Sequence, residues 1–132
     1  MNPKSSIVIA EDVHAQVKAM RMDKKIRYIA CALNGDKLEV KNTAPRETTY
    51  DDFLKALPKD EFRVFFYDYN VKGIEKLILI FWCPATLPAK IRIVANGVLT
   101  SCQSHIQGIL KTFKAEEADE IDEATIQKAF WG

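Results

Sequence analysis

A chain of 132 residues, 48% apolar and 28% charged, is long enough for one ordinary domain with a single core and needs no disulfide or metal staple. Its formal net charge of +1 excludes a general attraction to nucleic acid or to an anionic membrane. The charge is unevenly spread: residues 1–114 hold 18 of the 19 basic side chains but only 12 of the 18 acidic ones. A modestly basic body suited to an acidic partner therefore precedes an acidic tail.

Met1 to Ser6 is polar and reads as loose chain. Glu11 and Asp12 favour the first turn of a helix whose apolar stripe is Val13, Val17 and Met20. Lys24 and Lys25 form a basic turn before a strand over 26–33, and Asn34-Gly35 signals a hairpin into the alternating strand 37–41. Thr48 or Thr49 can cap a helix over 50–57, which Pro58 ends. Residues 62–69 read as another strand, and 70–73 as a tight connection to the apolar run 77–83. That run, rich in Ile, Phe and Trp, fits a strand buried on both faces. Pro84, Thr86 and Pro88 then force a turn.

Ile91 to Ala95 reads as a second short strand, with Asn96-Gly97 as the entry to a long helix. From Val98 the apolar period becomes helical, and Val98, Cys102, Ile106, Ile109 and Phe113 share one stripe. The opposite face carries Thr100, Gln103, Ser104, Gln107 and Lys111, which is polar but almost uncharged. Residues 116–123 read as a solvated acidic segment. Asp122 is a cap for a last short helix that turns Ile126, Ala129 and Phe130 inward. Strands and helices so interspersed predict an α/β domain of the α+β type, spanning residues 1–132, whose mixed sheet is covered by helices on both faces.

The chain offers little for catalysis. It has no glycine-rich phosphate loop, no paired metal-binding histidines and no nucleophile elbow. His14 and His105 fall on separate predicted helices, and the tail carboxylates lack a dry pocket. Cys31, Cys83 and Cys102 are odd in number and sit in apolar settings, which reads as buried free thiols in a reducing compartment. The longest apolar run is strand-sized, so neither a signal peptide nor a membrane span is expected, and a cytoplasmic location follows. A binding module is the better reading than an enzyme. Neutral polar groups such as Thr100, Gln103, Ser104 and Gln107 cost less to desolvate than charges, so their face suits burial against a partner.

The string Phe81-Trp82-Cys83-Pro84 followed by Leu87-Pro88-Ala89-Lys90-Ile91-Arg92-Ile93 resembles the actin-depolymerising factor/cofilin family, with its aromatic-Trp-x-Pro strand end and basic-x-basic pair. Matches continue in the same order along the chain, among them Ser5-Ser6-Ile7-Val8, Tyr50-Asp51-Asp52-Phe53 and Phe66-Tyr67-Asp68-Tyr69. The resemblance implies one ADF-homology domain with five or six strands between helix pairs, no cofactor and no metal. It implies a protein of the actin cytoskeleton, monomeric itself, that binds actin monomers in their ADP form and promotes filament disassembly. Phosphoinositide lipids are a further implied ligand.

In the family the long helix enters a cleft of actin, which implies contacts from Asn96, Gly97, Leu99, Thr100, Gln103, Ser104 and Gln107. Lys90 and Arg92 match the basic pair that meets acidic groups on actin. Ser5, Ser6 and Ile7 match the N-terminal contact, with Ser5 or Ser6 as the site where a phosphate would block binding by repulsion and desolvation. A second surface, which grips the neighbouring subunit in a filament, retains only Lys76 and Lys128, so weak side-binding and weak severing are expected. The long helix departs from the pattern at Leu99, where the family has a lysine, and at Gln103 and Ser104. Those departures keep open a protein like the glia maturation factor group, which acts on the filament-branching complex instead of actin.

Overall fold

The computed structural model describes residues 7–131. Six strands form one sheet: β1 (Val8–Ile9), β2 (Ile26–Asn34), β3 (Lys37–Pro45), β4 (Arg63–Val71), β5 (Ile74–Trp82) and β6 (Lys111–Ala115). Their order is β1-β3-β2-β4-β5-β6, antiparallel through the middle and parallel at both edges, so the sheet is mixed as expected. Helices α1 (Glu11–Asp23) and α3 (Ala89–His105) cover one face, and α2 (Tyr50–Lys55) and α4 (Glu123–Trp131) the other.

The apolar run in β5 is continuous because both of its faces are covered. Leu77, Leu79 and Phe81 join the cluster under α1 and α3, while Ile78, Ile80 and Trp82 join the one under α2 and α4. Strand β4 pairs with β5 without interruption from Arg63 opposite Trp82 to Val71 opposite Ile74. The two are joined by Lys72-Gly73 alone, with φ of 52° and 85°. Left-handed backbone at both turn residues matches the strands' natural twist. Asn70 and Val71 thus belong to the strand, not to the connection.

Helix α1 buries the expected stripe of Val13, Val17 and Met20. In α2, Thr49 accepts from the Asp52 backbone N–H while the Asp52 carboxylate accepts from the Thr49 N–H, a reciprocal cap on a six-residue helix. Asp122 caps α4 by accepting from the Thr125 N–H at 2.9 Å. Ile126 is buried and Phe130 stacks on Tyr69, with ring centroids 6.2 Å apart, but Ala129 faces solvent rather than the core. The acidic segment is not wholly solvated either. Its 3₁₀ turn, Ala118–Ile121, buries Ile121 completely, and Tyr50 donates to the Ile121 carbonyl at 2.6 Å.

The region after Pro88 differs most from expectation. Ile91 to Ala95 is not a strand, and Asn96-Gly97 is not a helix entry: both lie inside α3, which starts at Ala89 and buries Ala95, Val98, Ser101 and Cys102. Pro88, with φ of −59°, stands at the cap, where a missing N–H costs nothing. The helix ends at His105. Gly108 turns the chain with φ of 89°, and Phe113 and Lys111 lie on β6 instead of on the helix. Gln107 is in the connecting loop.

Candidate functional site

Seventeen residues make α3 roughly 25 Å long at the usual rise per residue. It crosses from the end of β5 to the start of its parallel neighbour β6, so both ends are tied to the sheet. Its inner stripe is packed and, among the described residues, no other element covers its outer face. Lys90, Arg92, Asn96, Thr100, Gln103 and Ser104 are all exposed on it, as is Gln107 just beyond. Leu99 is half-buried and packs on the core, so the position where the family has a lysine carries a partly inward leucine here.

One residue of this face was hidden from the sequence reading. Ile93, assigned there to a strand, is 72% exposed, and Ile91 and Val94 beside it are 38% exposed. Among exposed positions of α3, Ile93 is the large apolar side chain with least cover from its own chain. With Asn96, Thr100 and Gln103 it forms an uncharged strip, bordered by Lys90 and Arg92. A signal was available: Ile91, Ala95, Val98, Cys102 and Ile106 already recur at helical spacing, which turns Ile93 outward.

The acidic turn was also missed as part of this neighbourhood. Arg92 Nη2 lies 3.0 Å from Glu116 Oε2, and Glu116 and Glu120 share a cavity with Ile93 and Asn96. The floor of that cavity includes Cys83. Burial pushes the Cys83 thiol up, against the pull of Arg92, and burial pushes that of Cys102 up to about 12. All three cysteines are free and buried. Raised thiols are protonated near neutral pH and poor nucleophiles.

The N-terminal strand is anchored on the same helix. Ile7 is a core residue, so its side chain is not available at the surface. Its carbonyl accepts from Ser101 Oγ at 2.9 Å, and a Cβ placed on Gly97 would sit 3.6 Å from Ile7 Cγ1. Ser5 and Ser6 lie outside the described residues.

Lys76 and Lys128 fall elsewhere. Both are on the α2/α4 side of the sheet, Lys76 half-buried opposite Tyr69 on β4 and Lys128 exposed on α4. Near them Ile74 is 59% exposed beside the Lys72-Gly73 turn. The turn end of this hairpin is locked by charge. Asp68, with no exposure, pairs with Arg21 at 2.9 Å and with Arg46 at 3.0 Å, the latter off the line of a hydrogen bond. Glu75 pairs with Arg27 at 3.1 Å and Arg46 at 3.4 Å. Burial would raise the Glu75 carboxyl, but hydrogen bonds from Asn70 and Arg27 and the charges of Arg27 and Arg46 hold it below its usual value.

A long helix offering an uncharged strip beside cations, on a mixed sheet with an anchored N-terminal strand, defines a protein-binding domain. The sequence profile of cofilin/tropomyosin-type actin-binding proteins matches residues 6–130, and the chain belongs to that family. It is 25% identical to a cofilin of Eremothecium gossypii, covering 98% of this chain and 96% of that one. It is also 25% identical to actophorin of Acanthamoeba castellanii, covering 94% of each. In structure it is similar to the crystal structure of Streptomyces griseoflavus cofilin, with a TM-score of 0.84 at 22% identity over 92% of this chain and 96% of that one. Among the described residues no helix is long and apolar enough to cross a membrane, and no group of acidic, His and Cys side chains is arranged to hold a metal ion.

Proposed function

We propose that this actin-binding domain takes hold of actin monomers through the outer face of α3, prefers the ADP form and thereby slows nucleotide exchange. The observation that carries the reading is Ile93, 72% exposed at the N-terminal end of the uncharged strip. Leaving an isoleucine in water forgoes roughly 1.5–3 kcal/mol of burial, which docking recovers. Lys90 and Arg92 flank the strip and set its register against acidic groups on the partner. Asn96, Thr100, Gln103 and Ser104 supply hydrogen bonds, with Gln107 beyond the helix end. Gly97 and Leu99 contribute at the edges of the strip. Ile7 acts from inside, tying its own backbone to α3 through Ser101, and a phosphate on Ser5 or Ser6 would weaken binding by adding charge that docking must desolvate.

Filament disassembly then follows by linkage: a ligand that fits an altered subunit better than the standard filament shifts subunits toward the altered state. Lys76 and Lys128 form a sparse second surface, which supports weak side-binding and weak severing. Anionic lipid headgroups, phosphoinositides included, would compete at Lys90 and Arg92. Leu99, packing on the core where the family has a cation, favours a second reading in which the partner is the filament-branching complex.

Titration into labelled ADP-actin and ATP-actin monomers, with parallel sedimentation on filaments and on branching complex, separates these readings. Tight monomer binding with little protein in the filament pellet is expected. Reversing both Lys90 and Arg92 to Glu should weaken monomer binding at least tenfold, since paired interfacial charges cost about 2–5 kcal/mol when broken. Strong pelleting with filament shortening would contradict the sparse second surface, and binding to the branching complex alone would replace actin as the partner.

A further inference from the structure

Two basic side chains border the outer face of α3, and the structure treats them differently. Lys90 makes no ion pair among the described residues, whereas Arg92 is turned toward Glu116 at 3.0 Å, on the segment between β6 and the 3₁₀ turn. That segment is held in place. The Cys83 N–H donates to the Ala115 carbonyl at 2.9 Å, and Glu120 Oε1 accepts from the backbone N–H of both Glu116 and Glu117, at 2.7 and 2.9 Å. The Glu116 backbone is therefore fixed beside α3, and its carboxylate shares a cavity with that of Glu120 and with Lys114.

We infer that Glu116 is a negative determinant of partner binding: it engages Arg92 in an ion pair beside the strip and must give it up when an acidic group of the partner arrives. The inference rests on the reading of Arg92 as an interface cation. Arg92 and Glu116 are 43% and 50% exposed, so their pair is a weak one that exchange can break without disturbing the fold. The same carboxylate repels an incoming one, which slows association and partly offsets the steering supplied by Lys90 and Lys114. Discrimination of this kind works by placing a like charge where the wrong contact would form. Here it also moderates the right one, keeping the complex reversible.

The test compares wild type, Glu116→Gln, Arg92→Gln and the double variant in association kinetics and equilibrium titration with labelled ADP-actin monomers over a range of salt. Thermal melting of each variant is measured alongside. Glu116→Gln should bind about two- to fivefold tighter, mainly through faster association at low salt, with melting close to that of wild type. In the Arg92→Gln background most of the gain should vanish, because the cation to be released is gone. A loss of affinity on Glu116→Gln would make Glu116 a direct contact and overturn the inference, as would no change or a gain that persists without Arg92. Wild-type protein that does not bind actin under any condition would instead refute the actin reading, and the inference would fall with it.

Discussion

Replacing Ile93 by Ala separates folding from binding at one residue. In the free protein Ile93 is 72% exposed, so its side chain contributes little to the core. Removing it should change folding stability by less than about 0.5 kcal/mol, and the better helix propensity of Ala acts in the favourable direction. Binding is different. The substitution deletes three carbon atoms at about 0.8 kcal/mol each if fully transferred from water, an upper bound near 2.4 kcal/mol. Since 72% of the residue is exposed to begin with, roughly 1–2 kcal/mol remains to be lost, or about a 5- to 30-fold rise in Kd. Titration of labelled ADP-actin reads the affinity, and urea denaturation reads the stability. Val98→Ala is the contrasting variant: Val98 is fully buried on the inner side of α3, so its truncation should lower stability by about 1–3 kcal/mol. Unchanged affinity for Ile93→Ala, or a stability loss above 1 kcal/mol, would refute the assignment of this residue to the outer strip.

Asp68→Asn should destabilise the fold by about 2–3 kcal/mol in urea denaturation, the low end for a broken buried pair, because Arg21 is 38% exposed and Arg46 keeps Glu75; a loss below 1 kcal/mol would show that the network carries no net stability. Glu75 has a depressed pKa, so its contribution is fully present above the ordinary glutamate value near 4.5 and is lost as pH falls through the lower folded value. Glu75→Gln should therefore lower stability at neutral pH and flatten the decline below pH 4.5, and an acid limb identical to that of wild type would exclude it. Gly97→Ala should raise stability by about 0.5–1 kcal/mol, since the added Cβ meets nothing closer than Ile7 Cγ1 at 3.6 Å. If that variant melts lower than wild type, Ile7 cannot yield and the glycine is a packing requirement.

Much of the framework was legible before any coordinates. The β4–β5 pair announces itself by aromatic and branched residues on two strands with a glycine turn between them, and α1 by a strict three-position stripe. The start of α3 was not legible, because Ile91-Arg92-Ile93 fits two periods at once: alternation as a strand, and outward Ile93 with inward Ala95 and Val98 as a helix. Branched residues tilted the choice, and packing on the sheet overrode that preference. Strand β6 was masked by an accident of spacing. Ile106, Ile109 and Phe113 prolong the stripe of Val98 and Cys102, although Gly108 between them marks a break. Strand β1 is two residues long and depends on a parallel partner, so nothing local could reveal it. On the outer face of α3, helical periodicity had already turned Thr100, Gln103 and Ser104 outward, and the family resemblance had pointed to Lys90 and Arg92. Ile93 and Glu116 were missed, as one was assigned to the wrong element and the other reaches the helix only through the fold.

Because α3 is spliced between two adjoining parallel strands, the grip it offers a partner is not mounted on a flexible arm. A tug on its outer face passes at once into β5, which is hydrogen-bonded to a strand on either side, β4 and β6. A partner docking there as proposed would meet a surface backed by the sheet rather than a hinge.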